Sequence, residues 1–565
     1  MNHCLRLCLL IGVIGITTKP IRAQSSATGP VTIEVDFAKE KGPAKPIWAW
    51  FGYDEPNYTY MKDGKKLLTH IANLSKIPVY VRAHSLLVTG DGEAALKWGS
   101  TNAYTEDANG KPIYDWTIVD KIFDTYIERG MKPMAQIGFM PEALSSKPTP
   151  YRHYWKPGDN YNDIYTGWAY PPNDYEKFAE LVYQWVKHSV DRYGKKEVES
   201  WYWELWNEPN ISYWKGTTEE YIKLYDYSAD AVKRALPTAK MGGPEVTGPN
   251  WDVSAKFMKA FLDHVVSGKN YVTGKTGSPL DFITFHAKGA PKVVNGIVQM
   301  NMGTQLRDID KGFEIVASYP TLKNLPIVIG ESDPEGCAAC SEDLHPQNAY
   351  RNGTMYASYT AASFARKHEL ADARGVNLLG AVTWAFEFED QPWFRGFRDL
   401  ATNGVDKPVL NVFRMFGMMG GQRVEVKQNL AYDYQKVRDQ SVRGAPDING
   451  YATKGTREAA LMVWHYHDDN LLEPSAPVAV RMKGVPNGRV LVHHYRIDQE
   501  HSNSYQVWKS MGSPKAPTPE QIATLEKAGQ LELLTSPTWM DVKNGELPLD
   551  FTLPRQGVSL LRISW

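Results

Sequence analysis

The chain has 565 residues, with 63 Lys and Arg against 64 Asp and Glu and a net charge of −1. That length exceeds what one ordinary core holds, so two or three domains are expected, one of them large. The balanced charge leaves no electrostatic footprint for nucleic acid or for an anionic membrane surface. Aromatics stand out, with 18 Trp and 31 Tyr. Such an excess fits either aromatic-rich loops or surfaces that stack on the C–H faces of sugar rings.

In chain order, residues 1–6 are short and basic, residues 7–16 (LCLLIGVIGI) are apolar, and small residues follow at 21–23. This pattern predicts an export signal over residues 1–23, too short to span a membrane. No later segment is apolar over about 18 residues, so no membrane span is expected and the mature protein is read as exported, periplasmic or extracellular. Cys4 and Cys8 fall within the signal, which leaves Cys337 and Cys340 as CAAC. No second Cys pair or Cys/His pair stands at zinc spacing, so a local disulfide is expected, with free thiols as the alternative.

Short apolar runs predict strands at residues 47–52, 79–83, 133–138, 200–205, 240–243, 282–285, 327–330 and 379–384. Amphipathic stretches between them predict helices at 173–193, 217–235, 254–266 and 346–367. Eight such alternations fit an α/β fold, a (β/α)8 barrel over residues 45–404. An open doubly wound sheet would carry a Gly-rich phosphate turn after its first strand, and none follows Gly52. Beyond residue 405 short alternating segments (459–465, 478–482, 489–496, 551–553 and 558–563) predict an accessory β-sandwich over 405–565. Residues 24–44, with VTIEVD at 31–36, are expected to add a strand to it.

Residues 201–210 (WYWELWNEPN) place Glu208 at the carboxyl end of the predicted fourth strand. Barrel enzymes gather their reactive groups at that rim. A Glu among Trp and Tyr is partly desolvated, the condition under which a general acid keeps its proton. Asn207 stands beside it, where it can hydrogen-bond a substrate hydroxyl. Residues 325–334 (LPIVIGESDP) place Glu331 at the end of the predicted seventh strand. Two carboxylates facing each other across a barrel mouth suit glycosidic cleavage. A separation of about 5–5.5 Å implies retention and about 6.5–9.5 Å inversion.

These two motifs resemble those of the retaining barrel glycosidases, and within them the chain resembles glycoside hydrolase family 39. The similarity extends to residues 52–57 (GYDEPN), 81–87 (VRAHSLL), 138–144 (GFMPEAL), 241–245 (MGGPE), 281–289 (DFITFHAKG) and 495–504 (YRIDQEHSNS). The resemblance implies a barrel with a β-sandwich, Glu208 as acid/base and Glu331 as nucleophile. It further implies that Arg82 and His84 orient the nucleophile and bind a sugar hydroxyl. By the same resemblance Asn207 holds the 2-hydroxyl, His286 lines the pocket and Trp384 floors the sugar ring. No cofactor is implied. A metal hydrolase would need a His/Asp cluster such as HxH after the first strand, and residues 47–57 hold no His.

Family 39 includes β-D-xylosidases and α-L-iduronidases, so the expected function is exo-hydrolysis of terminal β-D-xylosyl or closely related residues of plant or algal polysaccharide fragments. An α-L-iduronide adds a carboxylate at C5, and a cation meeting that carboxylate tells the two apart. Lys288 in HAKG and Asp333 in ESDP resemble the iduronidase branch, and Arg395 or Arg398 after the eighth strand would supply a bidentate clamp. A non-catalytic carbohydrate-binding protein is a remoter reading, opposed by the presence of both carboxylates. The expected partner is an oligosaccharide; the sequence leaves the oligomeric state open.

Overall fold

The computed structural model describes residues 29–430, 432–471 and 474–565, and the export signal expected at residues 1–23 lies outside them. Eight parallel strands form the first unit: Trp50–Tyr53, Tyr80–Ala83, Lys132–Ile137, Tyr202–Leu205, Lys240–Val246, Phe282–His286, Pro326–Glu331, and an eighth split into Asn377–Ala381 and Thr383–Trp384. Each pairs with its neighbours in sequence. The split strand closes the barrel, since its first part pairs with the seventh strand and its second aligns Thr383 with Phe51 and Trp384 with Gly52. All eight strands stand where the sequence predicts them. Closure also explains Gly52, where a Cβ would lie 2.4 Å from the Trp384 ring.

The fourth strand shows how period-two alternation serves the site. Trp201 and Trp203 point outward, their rings 5.4 Å from Phe123 and 5.1 Å from Trp185 on the surrounding helices. Tyr202 and Glu204 point into the barrel, where Trp50, Met134, Tyr202, Phe282, Val328 and Trp384 fill the interior as a solid floor. Helices Tyr175–Tyr193, Thr218–Ala235 and Asp252–Ser267 match their predictions. The helix expected from residue 346 begins instead as a 3-10 turn, Pro346–Asn352, and becomes α-helical only at Thr354–Arg374, after an extended Gly353.

The second unit is a nine-stranded sheet folded over its own core. It contains Val31–Pro43, Gln422–Gln428, Asp447–Lys454, Glu458–Tyr466, Ala476–Lys483, Gly488–Ile497, Glu532–Val542, Glu546–Leu553 and Val558–Ser564. The N-terminal strand joins it, parallel to Ala476–Lys483 and antiparallel to Gln422–Gln428. Gln422–Gln428, Asp447–Lys454 and Glu532–Val542 were not evident in the sequence. The first and last are largely solvated and lack a clean apolar alternation. Helix Pro408–Gly417, which falls within the residues expected to form the sandwich, packs on the barrel, with Phe413 5.0 Å from Phe51.

The barrel core extends onto one face of the sandwich sheet, beside the sandwich's own core. Strand Glu458–Tyr466 buries Ala459, Leu461 and Val463 in the sandwich, and Ala460, Met462, Trp464 and Tyr466 against the barrel. Helix Thr354–Arg374 lies between them and is buried nearly all round, which is why its sequence carries little amphipathic signal. Its Arg366 pairs with Asp447 of the sandwich at 3.1 Å, both side chains being buried. Among the described residues no helix is long and apolar enough to cross a membrane.

Ile33 is fully buried in the sandwich core on the N-terminal strand. Ile33→Ala should destabilise the fold by about 2–4 kcal/mol; scanning calorimetry of the full chain should show the lower transition, and an unchanged profile would mean the strand contributes little.

Candidate active site

Both predicted carboxylates stand at the carboxyl rim. Glu208 follows the fourth strand in a left-handed backbone conformation (φ 44°), as do Trp206 (φ 66°) and Glu245 (φ 57°). Three such residues at one rim mark strain held by the surrounding structure. The Glu208 amide donates to the Glu245 carbonyl at 2.9 Å, locking the turn. Register irregularities fall between Pro244 and Val246 and between Ile329 and Glu331. These bulges turn Glu245 inward and leave Gly330 beneath it, where a Cβ would sit 1.6 Å from a Glu245 carboxylate oxygen.

His286 bridges the two candidate groups. Its Nδ1 lies 2.9 Å from Glu208 Oε1 and 3.9 Å from Glu331 Oε2, and its Nε2 lies 2.9 Å from Glu245 Oε1. One carboxylate oxygen of Glu208, one of Glu331 and a His286 nitrogen all lie within 4.8 Å of one another. Burial opposes protonation of His286, but Glu331 and Glu245 raise its pKa to about 10, so both ring nitrogens donate at neutral pH. Burial would also raise Glu331. Lys288 at 2.6 Å and then His286 outweigh it and bring the carboxyl down to about 2. Glu331 is therefore an ionised, nearly buried carboxylate at neutral pH.

Beneath this pair lies Arg82, fully buried. Its Nε donates to Glu204 at 2.6 Å and its Nη2 to Asn207 Oδ1 at 3.1 Å; Nη2 also lies 3.0 Å from Glu245, an ion pair, and Nη1 lies 3.7 Å from Glu331. Burial raises Glu204 to about 8 despite Arg82, whereas Arg82 and His286 overcome burial and lower Glu245. Glu204 thus keeps a proton beside an ionised Glu245. Arg82 orients the site from below; the sugar contact expected of it is ruled out by its burial. Asn207 spends its carbonyl on Arg82, and its NH2 makes no hydrogen bond among the described residues.

The other expected residues divide clearly. His84 faces the cavity and is 2% exposed. Burial lowers its pKa, and its contacts define a tautomer in which Nδ1 donates to Asp54 at 3.0 Å and Nε2 accepts from Arg82 at 3.2 Å. Lys288 is 17% exposed and is committed to Glu331 and, at 3.2 Å, to Asp333. Asp333 does not present itself to substrate. It is buried, and both its oxygens accept from the Trp384 amide at 3.1 Å. Trp384 does not floor the sugar directly: at 1% exposure it lies under His84 and Arg82, whose ring centroid and guanidinium carbon are 4.4 Å and 4.9 Å from its ring. Arg395 stands outside the group, paired with the exposed Asp343 at 3.3 Å. Arg398 is buried and ties the Trp384 carbonyl (2.8 Å) to Glu335 (2.7 Å). Cys337 and Cys340 are joined by a disulfide in that same loop.

Four polar residues central to the site were missed in the sequence. Glu204 was legible from the alternation in WYWEL, and Asp54 and Glu245 from their places at strand ends. Lys97, which pairs with Asp54, gives no local signal, because it sits in a loop 43 residues away. The aromatic wall beside Glu208 comes from Tyr165 and Tyr213 on the loops after strands three and four, both raised by burial with Glu208 adding to it. It does not come from Trp201 and Trp203. Asp54, His84 and Glu331, like Glu208, His286 and Glu331, gather atoms at a spacing that suits a divalent ion. Lys97, Arg82, Lys288 and protonated His286 already neutralise these carboxylates, and a further cation would enter against them.

A parallel barrel with paired carboxylates at its carboxyl rim and a packed β-sandwich is the build of a glycoside hydrolase. The model of glycosyl hydrolases family 39 matches residues 31–540. The chain belongs to that family and is a glycoside hydrolase. A β-xylosidase of Caldicellulosiruptor saccharolyticus is 29% identical over 459 residues, 78% of this chain and 82% of that protein. The α-L-iduronidase of Mus musculus is 23% identical over 529 residues, 88% of this chain and 75% of that protein. The same fold is seen in a GH39 enzyme from Xanthomonas axonopodis pv. citri, with a TM-score of 0.73 at 21% identity, covering 97% of this chain and 99% of that one.

His286 binds its proton more tightly in the folded state than its ordinary value of 6.5, so its stabilising contribution is complete below about pH 6.5 and is lost as pH rises through about 10. The melting-temperature deficit of His286→Gln should accordingly be largest near pH 6 and shrink toward pH 10. A deficit independent of pH would show that the imidazole is neutral.

Proposed function

We propose that the chain removes terminal β-D-xylosyl, or closely related neutral, units from plant or algal polysaccharide fragments by double displacement with retention, acting after export. The carrying observation is the Glu208–Glu331 approach within 4.8 Å, which fits the short separation of retaining enzymes better than the gap an inverting enzyme leaves for water. Glu331 attacks the anomeric carbon while Glu208 protonates the departing oxygen, and the sugar is held as an ester on Glu331. Glu208, now a carboxylate, takes a proton from water as it attacks the same carbon, and the Glu331 ester breaks. The Asn207 NH2 meets the 2-hydroxyl, a contact that strengthens as positive charge develops on the ring.

The preference for a neutral sugar rests on the state of the cations. Arg82, Lys97, Lys288 and Arg398 are each paired with buried carboxylates. A uronate would have to compete with Glu331 and Asp333 for Lys288. The partial exposure of Lys288 favours the second reading, an α-L-iduronide whose carboxylate reaches that ammonium.

A panel of aryl β-D-xyloside, α-L-iduronide and α-L-arabinoside should show the xyloside preferred, with the β-anomer of xylose the first product seen by NMR. The α-anomer first would end the retaining scheme. Glu331→Gln should abolish turnover. Glu208→Ala should lose about 10²–10⁴-fold on substrates with poor leaving groups; on an activated aryl glycoside, whose departure needs no acid, azide should restore rate by replacing water in the second step. Iduronide turnover that disappears in Lys288→Ala would transfer the assignment to the uronate.

A further inference from the structure

We propose that Asp54 and Lys97 form the recognition end of the sugar pocket, a pair that selects the terminal unit through hydrogen bonds to hydroxyls remote from the anomeric carbon. This inference rests on the glycosidase reading above and extends it to substrate choice. Asp54 ends the first strand and is held in place by three donors: His84 Nδ1 at 3.0 Å, Trp384 Nε1 at 3.0 Å and the Lys97 ammonium. One of its oxygens lies within 4.8 Å of a Glu331 oxygen, with a His84 nitrogen completing the triangle. A sugar whose anomeric carbon faces Glu331 therefore lies beside Asp54, with its ring hydroxyls turned to this pair.

Lys97 is brought there at a conformational cost. It belongs to the loop after the second strand and has φ 59°, a region L-residues rarely adopt. Its amide donates to Glu55 Oε1 at 2.7 Å, and its side chain, 4% exposed, pairs with Asp54. Two consecutive carboxylates of the first strand thus capture one lysine by its backbone and by its ammonium. Of the three ammonium donors Asp54 takes one, and the Tyr161 ring centroid lies 5.4 Å from the nitrogen, which leaves donors for a ligand.

The pair lines a cavity of about 20 Å³ together with His84, Phe139, Trp168 and Tyr213. That space holds one water or one hydroxyl, not a hydroxymethyl arm or a further sugar. A hydroxyl entering it meets an ionised acceptor and a charged donor, the stronger kind of hydrogen bond. A site built this way rejects a sugar lacking the hydroxyl, because its own buried groups are then left unpaired.

The test compares the parent, Lys97→Met and Asp54→Asn on an aryl β-D-xyloside and its 3-deoxy and 4-deoxy analogues. The parent should favour the full xyloside over at least one deoxy analogue by about 100-fold in kcat/KM. In each variant that preference should fall to a few-fold, because the variant loses rate on the xyloside but little on that analogue. Equal losses on all three substrates would make the pair a structural lock for the loop and overturn the proposal. Melting curves check folding, and the shape-conserving Asp54→Asn carries the test if Lys97→Met does not fold. A parent that ignores the xyloside but cleaves another sugar of the panel refutes the substrate reading alone. The deoxy series of that sugar then decides on Asp54 and Lys97 by the same criterion.

Discussion

The site depends on one buried guanidinium. Arg82 stands at the end of the second barrel strand with no exposed surface, and taking its charge out of water is tolerable only if its donors find acceptors, anions among them, in good geometry. Glu204, Glu245, Asn207 and Glu331, from strands four, five and seven, supply those partners. The demand works both ways. Satisfying Arg82 draws four strand ends to one point and fixes the carbonyl of Asn207, which leaves its amide free. The left-handed turns at Trp206, Glu208 and Glu245 are the backbone distortions this convergence requires.

From that centre the charges separate by duty. Lys288 and His286 hold Glu331 ionised, as a group that attacks carbon must be. Glu208 is more accessible, at 15% against 8% for Glu331, and touches the charged imidazole with one oxygen. Lys288 does two things at once: it stabilises Glu331 and, through Asp333, ties the seventh strand to the amide of Trp384 in the eighth. A lysine so placed is not an idle surface group.

The sandwich contributes to this rim. Helices Ser504–Ser510 and Pro519–Ala528 rest on the loop after the eighth strand, where Phe394 packs 5.1 Å from Trp508 and, with Leu525 and Val405, forms a small core. Asn411 of the barrel-side helix donates to the Ser502 and Gly529 carbonyls. Within residues 495–504, Ser502 accepts from Asn411 and the Ser504 hydroxyl donates to the Asp406 carbonyl, which ties that segment to the barrel-side helix and the residues just before it.

Much was legible in the sequence because it is written locally. Period-two alternation, abrupt strand ends at Asn-Glu-Pro and Gly-Glu, and the change of texture near residue 405 are short-range consequences of backbone geometry and burial. They were enough for the barrel, the sandwich and the places of Glu208 and Glu331. What only the tertiary structure decided are pairings between residues far apart in the chain: Asp54 with Lys97, Glu245 over Gly330, Lys288 with Glu331, and Trp384 under His84. Sequence order carries no record of such contacts, and a buried charge is placed by whichever partner the folded barrel brings within reach. For the same reason Arg395 and Arg398, three residues apart, part company, one on an exposed aspartate and the other locked behind the pocket.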